Sequence, residues 1–207
     1  MTLAAQLAAG VAELGVDVGP DAQKKLLAYL ELMAKWNRVY NLTALRNPGE
    51  WVTHHLLDSL SVLPHIRGPL VADVGSGAGL PGLVLAMVRP DWQVVSVEAV
   101  DKKAAFQRQV TAELALTNAR IEGRRVEDVV PEGGADTVVS RAFSSLADFV
   151  SLTRHLLKDG GQWAAMKGRL PQEEIAALPG DVQVREIIEL KVPGLNAERC
   201  VVLMNRK

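Results

Sequence analysis

The stretch DVGSGAGLPG, Asp73 to Gly82, places glycines at 75, 77 and 79 behind an acid and directly after an apolar run. Glycines at alternate positions let a backbone turn tightly and approach a ligand closely, with no Cβ in the way. The spacing Gly77-x-Gly79-x-x-Gly82 also satisfies the dinucleotide fingerprint, whereas Gly75-x-Gly77-x-Gly79 behind Asp73 suits the methionine end of S-adenosylmethionine better than a pyrophosphate. A glycine-rich turn with no ligand is the third possibility. Glu98 ends the next apolar run, WQVVSVEA, within the ~20-residue window of an acid that grips ribose hydroxyls. It supports a nucleoside of either kind, though a lone acid at a strand end can simply be solvated. Arg141 closes the apolar run DTVVSR. A guanidinium leaving a buried strand is costly unless it faces a ligand or an ion-pair partner.

Other groups carry weaker signals. His55 and Asp58 stand at i, i+3 and can share a helix face, for chemistry or for packing. Lys167 follows the run GGQWAAM, where it would meet a phosphate or solvent. Asn37 and Asn41 fall at the end of a helix, and capping is the default role for Asn41. Lone Cys200 allows no internal disulfide and no cysteine-rich metal cluster, and reads as core filler in the last strand.

The elements that must position these residues change character near residue 67. Before it the pattern is helical. An amphipathic MTLAAQLAAGVAELG, with no basic leader, opens the chain. Gly19-Pro20-Asp21 starts a long helix with Leu26, Leu30, Met33 and Asn37 on one stripe, and Asn47-Pro48 starts another with Trp51, Leu56, Leu60 and Leu63. After residue 67, strands LVADVG, WQVVSVEA, ARIEG, ADTVVSR and GGQWAAMKG alternate with helices over 80–88, 101–116 and 145–157. That order argues for a parallel sheet covered on both faces. VQVREIIELKV and ERCVVLMNRK, joined by the short PGLNA, must instead form an antiparallel hairpin. The expected fold is α/β, of the class I S-adenosylmethionine-dependent methyltransferase type. It is a Rossmann-like, mostly parallel sheet ending in an antiparallel hairpin, with an N-terminal helical extension. We expect one domain over 1–207, with the extension at 1–66 and the cofactor-binding core at 67–207. A nicotinamide domain has no reason to end in such a hairpin.

Composition excludes several classes. The 207 residues are 48% hydrophobic and 23% charged, as in an ordinary globular domain. No apolar run reaches membrane-spanning length, and a cytoplasmic location is the default. A net charge of −1 does not announce a nucleic-acid partner, which would have to use a local patch. Methylation of exocyclic amines commonly uses Asn/Asp-Pro-Pro-aromatic after the fourth strand, where this chain has SRAF. Methylation at pyrimidine carbon 5 needs a nucleophilic cysteine near the site. An acceptor that is already nucleophilic, or one deprotonated by a nearby base, remains.

The chain resembles the glucose-inhibited division protein B family, small-subunit ribosomal RNA guanine-N7 methyltransferases. The resemblance spans KWNRVYNLT, HLLDSL, DVGSGAGLPG, VRPDWQVVSVEAVDKKAAF, RVED, SRAFSSL, MKG and VPGLNAER, in that order. Ala78 stands where many relatives have proline and Glu98 where many have aspartate. The resemblance implies S-adenosylmethionine as cofactor and 16S ribosomal RNA, or the small subunit, as partner, with no metal, no membrane and a monomeric enzyme. By the same resemblance Gly75 and Leu80 contact the cofactor, Gly77 and Gly79 shape the loop, Glu98 takes the ribose, Val126 and Glu127 lie beside the adenine, and Arg141 is a cofactor-site arginine with a catalytic part. Guanine nitrogen 7 has an exposed lone pair and no proton, so transfer needs alignment at about 3–3.5 Å and no general base. An arginine forked onto oxygen 6 and nitrogen 7 would cover the atom to be methylated, so Arg141 should face the cofactor carboxylate, an RNA phosphate or oxygen 6 alone. Lys35, Arg38, Arg46, Lys102, Lys103, Arg124 and Arg125 are the candidate phosphate contacts, with ordinary surface charge as the alternative for each, and the N-terminal helices are a candidate RNA platform. A nicotinamide oxidoreductase and a non-catalytic RNA-binding module are the rival readings; intact Gly75, Gly77, Gly79 and Glu98 weigh against the second.

Overall fold

The computed structural model describes residues 1–207 apart from Arg46, Pro131, Ala142 and Ser144. α1 (Leu3–Leu14) starts where the Thr2 hydroxyl accepts the Ala5 N–H at 3.2 Å, and it stops at Gly15 in the left-handed region. α2 (Pro20–Tyr40) has Pro20 in its first turn beside Asp21 and ends at Asn41, φ 49°, in the capping role expected of it. The Asn37 side chain then accepts the Thr43 N–H at 3.0 Å, folding the chain back along the helix end.

The helix expected after Asn47-Pro48 is not regular. A 3₁₀ turn, Pro48–Glu50, leads into a π-helical run, Val52–Leu57, which continues as α3 (Asp58–Ser61). The five-residue step from Trp51 to Leu56 fits that wider turn; the four- and three-residue steps to Leu60 and Leu63 do not. π-helical segments are rare and cluster at functional sites, and this one carries His55.

The α/β core follows as β1 (Leu70–Val74), α4 (Gly82–Val88), β2 (Gln93–Val97), α5 (Asp101–Glu113), β3 (Ala119–Glu122), β4 (Ala135–Ser140), α6 (Leu146–Thr153), β5 (Leu157–Lys167), α7 (Gln172–Ala176), β6 (Val182–Glu189) and β7 (Cys200–Arg206). The seven strands form one sheet in the order β3-β2-β1-β4-β5-β7-β6. β1 to β5 pair in parallel, and β7 lies antiparallel between β5 and β6, as the hairpin argument required. Boundaries move where local chemistry decides. α5 ends before Ala115, which adopts φ 49°, and β5 begins three residues ahead of Gly160. The short α7 has no counterpart among the sequence-based expectations.

Two cores follow from the period of two along each strand. Val71, Val139, Val201 and Leu203 face the layer that includes α1, α2 and α4. Ala72, Val74, Val138, Val202 and Met204 face the layer that includes α6. The first layer fixes the N-terminal helices onto the sheet, with Leu7 and Leu57 buried between them. Among the described residues no helix is long and apolar enough to cross a membrane.

Gly10 is where α1 meets the π-helical run. A Cβ there would stand 2.7 Å from a methyl carbon of the buried Leu57. Gly10→Val should therefore lower stability by ~1–3 kcal/mol through overpacking, read as a lower thermal midpoint by circular dichroism.

Candidate active site

The parallel strands end along one edge of the sheet, where ligands bind in such folds. β1 delivers the glycine loop there. Gly75, Gly77 and Gly79 take φ values of 69°, 61° and 90°, which L side chains rarely adopt. Gly82 is required for a different reason. A Cβ on it would lie 2.7 Å from the Asp73 carboxylate, whose Oδ2 accepts the Gly82 N–H at 2.7 Å.

Side chains from three other places hold this loop. Glu98, just past β2 and buried, accepts the Gly77 N–H at 2.7 Å on Oε2 and the Val100 N–H at 2.8 Å on Oε1. Each carboxylate oxygen keeps a further lone pair for a ribose hydroxyl. Gln107 of α5, fully buried, donates to the Ser76 hydroxyl and the Gly77 carbonyl, both at 2.8 Å, and accepts from Ser96 of β2 at 2.7 Å. Tyr29 of α2 donates to the Ala78 carbonyl at 2.9 Å. Burial holds its phenol protonated well above the usual range. The contact uses the backbone of Ala78, so the residue type at 78 does not alter it.

Three cavities run along the edge. One of about 240 Å³ is lined by Gly75, Glu98, Val126 and Glu127. Val126 also belongs to the core beneath, so its core reading and its site reading are compatible. A second, about 270 Å³, is lined by Gly75, Gly77, Leu80, His55, Lys103 and Arg141. The third, about 420 Å³, shares His55 and Arg141 with the second and adds Asp58, Met166, Lys167 and Arg199. Its size suits a small ligand or a nucleobase. The structure thus brings Gly75, Gly77, Leu80, Glu98, Val126, Glu127 and Arg141 together on one edge, and Gly79 shapes the loop from beneath, against Leu83.

Arg141 faces both a cavity and an ion pair. Its Nη1 donates to Asp58 Oδ2 at 2.9 Å and to the His54 carbonyl at 3.2 Å. The other Asp58 oxygen accepts Arg199 Nε at 2.9 Å. Arg199 was not singled out from the sequence. Its signal was the hairpin: because β7 is antiparallel, its first residues lie beside the last residues of β5, and Cys200 pairs with Lys167. Cys200 is buried, and desolvation raises its thiol pKa, which fits core filler.

Lys167 is not the solvated charge weighed as one alternative. It is largely buried and donates to Glu174 at 2.6 Å and to the Phe143 carbonyl at 3.0 Å. His55 receives a contact from Thr43 at 3.1 Å, between its Nε2 and the hydroxyl, while its buried Nδ1 has no partner. Burial, then the neighbouring Arg141 charge, pushes its pKa down to about 4, so it is neutral near pH 7. Burial pushes Asp73 the other way, up to about 7. Arg46, an expected phosphate contact, lies outside the described residues.

The family model described as "rRNA small subunit methyltransferase G" matches residues 22–202. A protein of that name from Laribacter hongkongensis is 53% identical over 202 residues, covering 98% of both chains. Another from Methylobacillus flagellatus is 54% identical over 199 residues and 96% of both. Among solved structures, an S-adenosylmethionine-dependent methyltransferase from Aquifex aeolicus superposes with a TM-score of 0.58 at 20% identity, over 79% of this chain and 96% of that one. That likeness shows the fold.

Gln107→Leu should strip two hydrogen bonds from the glycine loop and weaken S-adenosylmethionine binding about tenfold, ~1.4 kcal/mol, in calorimetric titration. For His55, the unfolded chain takes up a proton between about pH 6.5 and 4 that the folded chain refuses. Its contribution to stability therefore falls as pH falls across that window. Asp73, with its raised value, contributes in the opposite sense. The stability of the native chain relative to His55→Gln should accordingly drop by up to ~3 kcal/mol from pH 7 to pH 4 in denaturant unfolding.

Proposed function

Because the chain belongs to the GidB family, the rRNA small subunit methyltransferases G, we infer that it transfers the methyl group of S-adenosylmethionine to nitrogen 7 of a guanine in 16S ribosomal RNA. It is an S-adenosylmethionine-dependent methyltransferase of small-subunit ribosomal RNA; the atom methylated, a monomeric state and a cytoplasmic location are the finer parts of the proposal. The observation that carries the reading is the row of cavities meeting at Gly75 and at the His55–Arg141 pair.

The residues fit the cofactor. A Cβ at Gly77 would meet nothing within 4 Å, so the loop presents bare backbone to open space. Glu98 suits ribose hydroxyls, Val126 and Glu127 suit an adenine edge, and Gly75, Gly79 and Leu80 form the turn beside the methionine end. S-adenosylmethionine supplies a methyl on a sulfonium, electrophilic without further activation. His55, neutral at pH 7, adds no positive charge beside it. Arg141, held by Asp58, suits the cofactor carboxylate, an RNA phosphate or oxygen 6 alone, and not the paired acceptor edge of guanine. With no proton to remove from nitrogen 7, these residues bind, orient and exclude water. His55 and Asp58 then act as supports of the site and not as a base. The positioning of one methyl acceptor in the Arg199 cavity requires an unpaired or flipped nucleotide.

The test supplies labelled S-adenosylmethionine and small-subunit RNA lacking the modification, then maps the labelled base. Label on guanine nitrogen 7 is expected; label on a ribose or a pyrimidine would overturn the assignment. In the same assay Arg141→Ala should lower kcat/KM at least tenfold, ~1.4 kcal/mol, with cooperative unfolding retained. Full activity in that variant would remove Arg141 from the site.

A further inference from the structure

The chain has only 4 Trp, 2 Tyr and 3 Phe, yet both tyrosines share one ladder of rings with Trp36 and Phe106. Centroid distances are 5.9 Å for Tyr29–Phe106, 5.6 Å for Phe106–Trp36 and 5.0 Å for Trp36–Tyr40. The inner end is functional ground, because Tyr29 holds the glycine loop through the Ala78 carbonyl. Tyr29 and Phe106 are fully buried, Trp36 is half-buried, and the outer ring, Tyr40, is 42% exposed beside Val39 at 71%. In a chain with few aromatics, one stands in solvent at the end of a row of tilted and edge-on ring contacts.

The surroundings say what that ring faces. Leu42 and Thr43 line the cavity that holds Gly77, Lys103 and Arg141. Two Cα steps separate Tyr40 from Leu42, so the ring's backbone lies no more than ~7.6 Å from that rim. The turn between them is fixed by Asn41 in the left-handed region and by the Asn37–Thr43 hydrogen bond. Exposed Lys35 and Arg38 lie in the last two turns of the same helix and put positive charge on that end of it. An exposed aromatic at a basic helix end, on the rim of a cleft that takes a nucleotide, has the makeup of a base-stacking platform for single-stranded nucleic acid.

We propose that Tyr40 stacks an unpaired base of the RNA substrate next to the guanine that enters the cleft, with Lys35 and Arg38 on the adjoining phosphates. The base continues the Phe106–Trp36–Tyr40 ladder by one more ring, and every base has a π face, so the contact adds affinity and orientation with little sequence preference. The platform rests on the reading that ribosomal RNA is the substrate, and it assigns to the end of α2 a contact with the RNA itself, not with a ribosomal protein.

The experiment measures methyl transfer to naked small-subunit RNA by the native chain and by Tyr40→Ala, Tyr40→Leu and Tyr40→Phe, with S-adenosylmethionine affinity and thermal midpoint measured alongside. No transfer by the native chain to any ribosomal RNA would count against the proposed function and not against this contact alone. With transfer established, Tyr40→Ala and Tyr40→Leu should raise KM for RNA about tenfold, ~1.4 kcal/mol, with kcat and cofactor affinity within twofold of native. Tyr40→Phe should restore the native KM. Tyr40→Leu keeps an apolar group against Trp36, so it carries the test if the alanine variant melts early. An unchanged KM for RNA in Tyr40→Leu overturns the proposal, as does an equal loss of cofactor affinity. A defect seen with assembled subunits and absent with naked RNA would assign the ring to a protein contact and overturn it as well.

Discussion

The carboxylate of Asp58 organises the catalytic edge. It is buried to 1% exposure and lies between Arg141, 83 residues away, and Arg199, 141 residues away. A carboxylate out of water is costly by itself, and removing one partner of a buried pair leaves a charge that nothing compensates. The N-terminal helical segment, the end of β4 and the start of β7 must therefore meet at one point for the chain to fold in this form. That meeting point is a wall of the cavity of about 420 Å³ on the sheet edge where Gly75 and Glu98 lie. The two guanidiniums leave it net positive even with Asp58 ionised, which suits a polyanionic substrate although the whole chain carries a net charge of −1.

The glycine loop is treated in the opposite way. Its backbone is free of side chains where a ligand approaches and crowded where none does. Asp73, Glu98, Gln107 and Tyr29 each accept from or donate to its main chain. Their donors and acceptors are fixed before any ligand arrives, so binding need not order the loop. None of these groups is placed to carry a proton away from an acceptor. Burial keeps Tyr29 protonated and His55 neutral at pH 7. The residues are those of a site whose rate comes from alignment.

Much of this was legible in the sequence, for particular reasons. The parallel sheet followed from apolar runs alternating with helices, and the antiparallel end followed from the shortness of PGLNA. The glycines, Glu98 and Arg141 were conspicuous because each is an awkward residue at its place: backbone strain, or charge at the end of a buried strand. The pairing of Arg141 with Asp58 was not visible, since it joins residues with no local pattern in common. Arg199 sat unremarked at the start of the expected strand ERCVVLMNRK, and only the direction of β7 turns it toward the cleft. The π-helical run escaped because a single five-residue step among fours and threes looks like noise. Lys167 showed its charge but not Glu174, which approaches from a short helix that periodicity could not announce.

The reach between Asp58 and Arg199 also has a meaning in time. A growing chain emits Asp58 first and Arg199 141 residues later. At about 5–20 residues per second, the nascent protein spends on the order of ten seconds with that carboxylate short of its second cation. β7, which follows Arg199 directly, is thus the strand that completes the cavity wall. A chain released before that strand has one neutral ion pair where the finished enzyme has a net-positive triad.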